Sequence, residues 1–301
     1  MSRPELSWVV ADGEPQGLGA WLERHAPENG PSALADGRVF VDGKRLTDTA
    51  FTLSPGARVE LYAARRSEGE LSLLARFDGL VAVEKPAGMA TEPDHAGIAA
   101  SVVARAAELL AVERKDVHAM SRLDVGVSGV VLLALDRFAR RRVEALREAG
   151  RLRRRYVAIA SSVPSPASGV WDAPIGRGRG NLRSAFGRDP ESARTGYRTA
   201  AQTGAASLLA LEPVTGRTHQ LRVHASHAGC PLYGDAAYGG RKRVTQPDGA
   251  VIALRRIALH AAWVELPFSG GVRVESALPA ALEELWSALG GSADGLASAL
   301  E

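Results

Sequence analysis

The 301-residue chain is poor in the residues that cross-link proteins, hold metals or anchor them in membranes. Cys230 is its only cysteine, which excludes an internal disulfide and a cysteine-rich metal centre. The most apolar run, residues 129–135, is too short to cross a bilayer, and residues 1–8 lack the basic and apolar pattern of a secretory signal. These absences predict a soluble, cytoplasmic protein, which we expect to be a monomer.

Lysine is also scarce, so arginine supplies almost all of the positive charge. The formal net charge is only +3, but many arginines are concentrated in two segments between residues 137 and 198. These arginines are Arg137, Arg140, Arg141, Arg142, Arg147, Arg151, Arg153, Arg154 and Arg155, followed by Arg177, Arg179, Arg183, Arg188, Arg194 and Arg198. A phosphate backbone is the natural counterpart of such a run, although a solvated arginine-rich helix gives the same pattern. Residues 1–66, with eight basic and nine acidic residues, have no excess of positive charge.

The sequence predicts two domains of unequal size. Residues 1–66 form the smaller one, with a helix at 18–25 and a hairpin whose turn is Asp42-Gly43. A polar segment then leads to the larger domain, residues 71–301. There, strands are mixed irregularly with few helices, which predicts an α+β fold rather than a regularly wound α/β sheet.

Local patterns predict the main elements of the larger domain. The apolar run at 129–135 indicates a buried strand, and the next residues, 137–149, have the apolar stripe of a helix. Residues 164–196, rich in glycine, proline and serine, predict a long excursion with little regular structure. We expect a short strand at 220–224 and a frayed tail at 290–301.

Two polar segments have the composition of a catalytic site. Residues 121–129 place one carboxylate, that of Asp124, in a glycine-containing turn directly before the buried strand. Residues 215–224 collect arginine, histidine and glutamine ahead of the pair Gly234-Asp235. One acid and an arginine-rich partner segment predict a site with a single catalytic aspartate, whereas Asp124 considered alone would more simply cap its own turn.

These motifs resemble, in order and spacing, those of the RluA-type pseudouridine synthases, over roughly residues 75–268. The matching segments are Val83–Gly88, Arg122–Asp124 with Ser128–Gly129, Arg155–Ala158, and Gly216–His224 with Pro231–Asp235. The resemblance implies a mixed, largely antiparallel central sheet with flanking helices. Residues 1–66 resemble, more weakly, the small helix-and-hairpin RNA-binding module that often precedes this domain, but they lack its usual basic helix.

By this resemblance the chain converts uridines of ribosomal or transfer RNA to pseudouridine, without a cofactor or a metal. Asp124 is the implied catalytic carboxylate, as nucleophile or as base, with Arg222 as its ion-pair partner and Tyr156 as the stacking platform for the flipped base. The remaining implied substrate-binding residues are Lys85, Arg122, Arg217, His219 and Gln220. Judged from the residues alone, His219 and Gln220 are better explained as hydrogen-bonding supports for Arg222.

The chain departs from this family at Ser121, where a histidine usually precedes the Arg-Leu-Asp sequence. A second hypothesis is therefore an RNA-binding or chaperone protein that keeps the fold, although retention of the acid and its partners favours the enzyme. A hydrolase is a weaker hypothesis, because one carboxylate usually requires a second acid or a metal. His219 and His224 have no third ligand at a familiar spacing, so we predict no metal site.

Overall fold

The computed structural model describes residues 3–14, 17–204, 206–246, 249–268 and 270–301. It separates into two units, each built from two segments of the chain. The first unit comprises Met1–Ser67 and Met89–Arg114, and the second comprises Glu68–Gly88 and Lys115–Glu301. Among the described residues, no helix is long and apolar enough to span a membrane.

The first unit contains a four-stranded antiparallel sheet in the order β1-β4-β2-β3. Its elements are β1 (Leu6–Val9), α1 (Leu18–His25), α2 (Gly30–Ala35), β2 (Val39–Val41), β3 (Lys44–Leu46), β4 (Arg58–Leu61) and α3 (Val102–Leu110). The predicted helix and hairpin are both present. Asp42 and Gly43 adopt the left-handed conformation that a two-residue hairpin turn favours (φ 50° and 78°). Trp21 and Leu22 of α1 are fully buried in the core that α1 and α2 form with the sheet.

The first unit also includes residues 89–114, which the sequence assigns to the larger domain. Ile98 donates its backbone amide to the carbonyl of Asp36 (2.8 Å). The imidazole of His95 stacks on Phe40 at a ring-centre distance of 4.6 Å. The predicted division differs from the observed one because these are long-range pairings, which no local pattern of residues specifies.

The second unit contains most of the regular structure. Its strands are β5 (Ser72–Phe77), β6 (Leu80–Lys85), β7 (His118–Ala119), β8 (Ser128–Ala134), β9 (Arg153–Ala160), β10 (Ser168–Trp171), β11 (Ile175–Arg177), β12 (Arg183–Ala185), β13 (Arg188–Glu191), β14 (Thr195–Gln202), β15 (Ser207–Pro213), β16 (Arg243–Thr245), β17 (Val251–Ala253), β18 (Leu259–Leu266) and β19 (Val272–Glu275). Its α-helices are α4 (Arg137–Glu148), α5 (Gln220–His227), α6 (Ala280–Ala288) and α7 (Ala293–Leu300).

A ten-stranded sheet dominates the second unit. Eight of its strands follow the order β10-β14-β15-β9-β18-β8-β6-β5, while β19 pairs with β18 and β7 pairs with β8. Its neighbours run antiparallel except β18 and β8, which are parallel, with His260 opposite Ser128. This mixed, largely antiparallel sheet with flanking helices confirms the predicted α+β class.

Two hydrophobic clusters pack against this sheet. Helix α4 begins at Asp136, whose carboxylate accepts hydrogen bonds from the amides of Phe138 and Ala139 (both 2.8 Å). Its buried Val143 belongs to one cluster, together with side chains of β6, β8 and β18. Trp286 of α6 belongs to the other cluster, which includes residues of β9, β15 and α7. The clusters hold in the interior of the unit β8, which follows the loop of Asp124, and β9, which carries Tyr156.

Three local predictions were wrong. Residues 164–196 contain four strands, of which β10 pairs with β14 and β11, β12 and β13 form a small sheet. Residues 220–227 form helix α5 instead of a strand, and its residues 220–225, polar and apolar alike, are buried. The tail contains α7, whose terminal carbonyls accept hydrogen bonds from Arg198 (2.7 Å to Ser298) and Trp263 (3.0 Å to Leu300).

Candidate active site

Asp124 lies in the loop that leads into β8, between the buried side chains of Leu123 and Val127. The amide of Val127 donates to the carbonyl of Asp124 (3.0 Å) and closes the turn. Gly129 has a left-handed φ of 115°, and a Cβ atom at this position would collide with the backbone of Ala261. The loop therefore enters the sheet sharply, and the carboxylate of Asp124 stays 26% exposed.

Arg222 of α5 binds Asp124 from the protein interior. Its Nη1 donates to Oδ2 of Asp124 at 2.7 Å, and its side chain is only 9% exposed. The aromatic ring of Tyr238 faces the guanidinium, with 4.7 Å from Cζ to the ring centre. The structure thus brings together the predicted carboxylate and the predicted arginine.

Asp235 is a site residue that the sequence reasoning did not select. Its carboxylate is almost fully buried and accepts two hydrogen bonds from Arg222, from Nε to Oδ2 (2.7 Å) and from Nη2 to Oδ1 (2.8 Å). This paired geometry fixes the plane of the guanidinium. Burial by itself would lower the pKa of Arg222, but the bonds and charges of Asp235 and Asp124 outweigh it and raise that pKa. The sequence signal was the pair Gly234-Asp235 after the arginine-rich segment. The structure adds that a Cβ atom at Gly234 would collide with the carbonyl of Arg256.

His219 and Tyr238 lie on the other side of the carboxylate. Nε2 of His219 is 3.8 Å from Oδ1 of Asp124, and its Nδ1 is 2.7 Å from the hydroxyl of Tyr238. Burial lowers the pKa of His219, which favours the neutral imidazole. The two oxygens of Asp124 therefore face different partners, Arg222 at Oδ2 and His219 at Oδ1.

Tyr156 of β9 lines a small pocket in the second unit. Burial raises the pKa of its hydroxyl, and the charge of Asp124 acts in the same direction. Within the described part of the chain this hydroxyl has no hydrogen-bond partner. The pocket is lined by Met120, Ser121, Val130, Leu132, Leu152, Arg154, Tyr156, Ala261, Trp263 and Val264. The pocket is mostly apolar, with Tyr156 and Trp263 as its aromatic members.

Comparison with known proteins identifies the family. A family profile described as RNA pseudouridylate synthase matches residues 79–227, which include Asp124, Tyr156 and Arg222. The ribosomal large subunit pseudouridine synthase D of Pseudomonas aeruginosa is 32% identical over 282 residues, an alignment that covers 86% of this chain and 87% of that protein. The chain belongs to the RNA pseudouridylate synthase family.

Further relatives agree with this assignment. A synthase D from Nitrosomonas europaea is 34% identical, covering 73% of this chain and 65% of that protein. An uncharacterized RNA pseudouridine synthase of Chloroflexus aurantiacus is 37% identical, covering 62% of this chain and 58% of that protein. The solved structure of human RNA pseudouridylate synthase domain containing 4 has a TM-score of 0.57 at 26% identity, covering 72% of this chain and 92% of that chain.

These comparisons confirm the RluA-type resemblance. The chain is an RNA pseudouridine synthase, an isomerase that acts on uridine in RNA. The hypothesis of a non-catalytic RNA-binding protein is not favoured. Ser121, which motivated that hypothesis, accepts a hydrogen bond at Oγ from the amide of Leu132 (3.3 Å) and so ties this pseudouridine synthase's loop to β8.

Two of the predicted substrate-binding residues of the synthase are buried, and we correct their assignment. Lys85 is fully buried, and its Nζ donates to the carbonyls of Pro86 (3.0 Å) and Val125 (3.4 Å). Gln220 is also buried, and its amide group donates to the carbonyl of Arg194 (3.0 Å). Both side chains support the loops around the site instead of facing a substrate, because their polar atoms are used by the protein backbone.

Two other predicted binding residues of the synthase reach the surface. Arg122 is exposed, and it has no ion pair or hydrogen bond with the described residues. Arg217 is 37% exposed, forms an ion pair with Glu191 and donates from Nε to the carbonyl of Ser192 (2.9 Å). Arg122 therefore has a guanidinium available to RNA, whereas that of Arg217 is already shared with the protein.

The arginine-rich segments of the synthase are divided between surface and interior. Several arginines stabilise the fold: Arg147 donates to the carbonyl of Met120, Arg154 to those of Pro213 and Thr215, and Arg155 pairs with Glu212. The exposed ones are Arg137, Arg140, Arg141, Arg151, Arg153, Arg177, Arg179, Arg188 and Arg194. These exposed arginines are the ones most accessible to phosphates.

His224 does not extend the site. Its Nδ1 is 2.9 Å from Oγ1 of Thr195, and its Nε2 is 2.9 Å from the carbonyl oxygen of Ala173. Both ring nitrogens are thus engaged by the protein. Across the ranges that the structure describes, no group of three His, Cys, Asp or Glu side chains could hold a metal ion.

Proposed function

We propose that this pseudouridine synthase isomerises uridine in large-subunit ribosomal RNA, with Asp124 as its catalytic carboxylate. The carrying observation is the position of Asp124, whose carboxylate is partly exposed and held at one oxygen by the buried guanidinium of Arg222. The choice of RNA is supported by the relatives from Pseudomonas aeruginosa and Nitrosomonas europaea, both of which are named for the large ribosomal subunit. A ribosomal substrate suits a cytoplasmic enzyme, and we propose that it works as a monomer.

The rearrangement needs an anion next to the sugar. The bond from N1 of uracil to C1′ of ribose breaks, the base turns, and C5 bonds to the same C1′. The proton lost from C5 is balanced by the one gained at N1, so nothing is oxidised or hydrolysed overall. Asp124 serves this sequence as a nucleophile at the sugar or as the base that removes a sugar proton. Both roles use the carboxylate as an anion, to which the guanidinium of Arg222 donates a hydrogen bond at 2.7 Å.

Tyr156 supplies the platform for the extruded uracil. Extrusion of a base costs a few kcal/mol of stacking and pairing energy. Stacking on an aromatic side chain returns about 1–3 kcal/mol. The charge of Asp124 acts on the hydroxyl of Tyr156, and this hydroxyl has no partner among the described residues, so it is available to the base or to a proton in transit.

The exposed arginines of the second unit bind the RNA backbone. Arg122 directly precedes Leu123 and Asp124, and it is the exposed cation nearest in sequence to the carboxylate. Arg137, Arg140 and Arg141 provide further exposed cations on α4. The first unit remains a proposed RNA-binding-like module with little positive charge, so we assign most of the salt-dependent affinity to the second unit.

The test measures pseudouridine at single-nucleotide resolution in transcripts of large-subunit ribosomal RNA, small-subunit ribosomal RNA and transfer RNA. We expect product in the large-subunit transcript alone, and none with the Asp124→Asn variant, which cannot act as a nucleophile or as a base. Asp172→Asn, which removes an exposed carboxylate, is the matched control and should retain full activity. Product in transfer RNA alone would contradict the proposal that the substrate is large-subunit ribosomal RNA. Turnover by Asp124→Asn would contradict the proposed role of the carboxylate.

A further inference from the structure

We propose that His219 is a positioning residue for Asp124. It presents the N–H of Nε2 to Oδ1, the oxygen that Arg222 does not bind, and Tyr238 holds the imidazole in the tautomer that allows this. The inference rests on the proposed role of Asp124 as the catalytic carboxylate. It gives His219, which the resemblance assigned to the substrate, a contact within the protein instead.

The hydrogen bonds of Tyr238 determine the tautomer of the histidine. The backbone amide of Arg183 donates to the hydroxyl oxygen of Tyr238 (2.9 Å), so the oxygen is the acceptor in that contact. Burial raises the pKa of Tyr238, which therefore keeps its own proton. That proton is directed to Nδ1 of His219, 2.7 Å away. A neutral imidazole that accepts at Nδ1 carries its hydrogen on Nε2.

The hydrogen on Nε2 faces the free oxygen of the carboxylate. The distance from Nε2 to Oδ1 of Asp124 is 3.8 Å, about 1 Å longer than a hydrogen bond. Catalytic contacts of this kind are often long without substrate and shorten when it binds. Arg222 already holds Oδ2 at 2.7 Å. If the distance between Nε2 and Oδ1 shortens to a hydrogen bond, the rotation of the carboxylate is fixed. One lone pair of Oδ1 then remains for the sugar.

His219 has a backbone conformation that residues other than glycine rarely adopt. It adopts the left-handed conformation (φ 59°, ψ 18°) at the start of α5. Residues other than glycine occupy this region at a cost in free energy, and such positions cluster at functional sites. Asparagine and histidine tolerate it better than most residues. This tolerance permits a substitution that keeps the loop and changes only the reach of the side chain.

Two substitutions separate positioning from structural support. His219→Asn keeps the tolerance for this backbone and offers Tyr238 an acceptor, but its side chain is too short to reach Asp124. His219→Gln places an N–H close to the position of Nε2. With saturating RNA we expect His219→Asn to lower kcat about a hundredfold with little change in KM, as a misplaced catalytic group does. We expect kcat of His219→Gln to be at least tenfold higher than that of His219→Asn, because one hydrogen bond to the carboxylate is restored.

A third variant tests the role of the tyrosine. Tyr238→Phe keeps the ring that faces Arg222 and removes only the hydroxyl. We expect kcat to fall about tenfold, because the tautomer of His219 is then no longer held. The melting temperature of each variant measures structural damage separately. Full activity of His219→Asn, or equal losses for His219→Asn and His219→Gln, would overturn the inference.

Nitrogen NMR of the free protein provides a readout that does not depend on turnover. We expect Nδ1 of His219 to carry no proton at neutral pH in the unaltered protein, and the tautomers to mix in Tyr238→Phe. A protonated Nδ1 would overturn the inference. Product formation by the unaltered enzyme and its loss in Asp124→Asn show separately that the proposed function holds. If neither occurs, the proposed function fails while the NMR result still decides the tautomer.

Discussion

Two polar networks in the second unit are built from the same kinds of residue, but their histidines face different groups. The site network consists of Asp124, His219, Arg222, Asp235 and Tyr238. The inner network consists of Glu68, Glu84, Ser128, Arg256, His260 and Ser276. Each has a buried arginine bound to a carboxylate and a histidine held by a hydroxyl.

The inner network uses its donors and acceptors within the protein. Arg256 donates to the hydroxyl oxygen of Ser128, and that hydroxyl donates to Nδ1 of His260 (2.8 Å). Nε2 of His260 then donates to the carbonyl of Ser276 (3.2 Å), whose own hydroxyl donates to Glu84 (3.1 Å). His260 is fully buried, so its polar atoms cannot meet a substrate.

The difference lies in what each histidine faces. His260 directs its N–H to a carbonyl, whereas His219 faces the partly exposed carboxylate of Asp124. Burial lowers the pKa of Arg256, while two carboxylates raise that of Arg222. Buried ion pairs add little net stability compared with apolar packing. The site network is therefore better explained by the anion that it presents than by any contribution to folding.

The largest expected effect comes from Arg222→Met. It leaves the buried carboxylate of Asp235 unpaired, which should lower the free energy of unfolding by about 3–5 kcal/mol and abolish pseudouridine formation. Urea unfolding and the RNA assay measure the two effects. Arg217→Met is the control, because its ion pair with Glu191 is exposed and should contribute less than about 1 kcal/mol. Equal losses of unfolding free energy in the two variants would contradict the importance of the paired hydrogen bonds between Arg222 and Asp235.

A smaller loss of stability should follow when the pH is lowered, because His260 of the inner network is buried. Burial lowers the pKa of His260 to about 4, below its ordinary value of 6.5. Between these two pKa values, His260 is therefore protonated in the unfolded chain but not in the folded chain. This contribution to stability is present above pH 6.5 and is lost as the pH falls toward 4, a change on the order of 3 kcal/mol. Unfolding titrations across this range should show the loss, and His260→Gln should reduce the slope. An unchanged slope in that variant would refute the assignment.

The smallest effect on stability distinguishes the networks most sharply. Ser128→Ala removes the hydroxyl between Arg256 and His260 and should lower the free energy of unfolding by about 1–3 kcal/mol. It should leave kcat nearly unchanged. Asp235→Asn in the site network should lower kcat strongly, because Arg222 loses half of its charged support. Comparable losses of kcat in the two variants would show that the inner network belongs to the catalytic machinery.

Local patterns predicted the loop that carries Asp124 and the strand that follows it. Arg122–Asp124, the turn that follows and the apolar strand β8 are continuous in sequence, so their geometry depends on neighbouring residues. The helix α5 was mistaken for a strand because buried polar side chains, such as Gln220 and Arg222, alternate with apolar ones. A pattern of period two normally marks one buried face, and here both kinds of residue are buried.

The sequence by itself determined the family, the α+β class and the candidate acid, because these depend on motifs whose residues lie close together along the chain. Tertiary structure alone decided that Asp235 holds Arg222, that Lys85 is buried, and which arginines face solvent. The physical reason is that burial and pairing depend on residues brought together from distant parts of the chain. A charged side chain has the same local sequence whether its partner is water, a phosphate or a buried carboxylate.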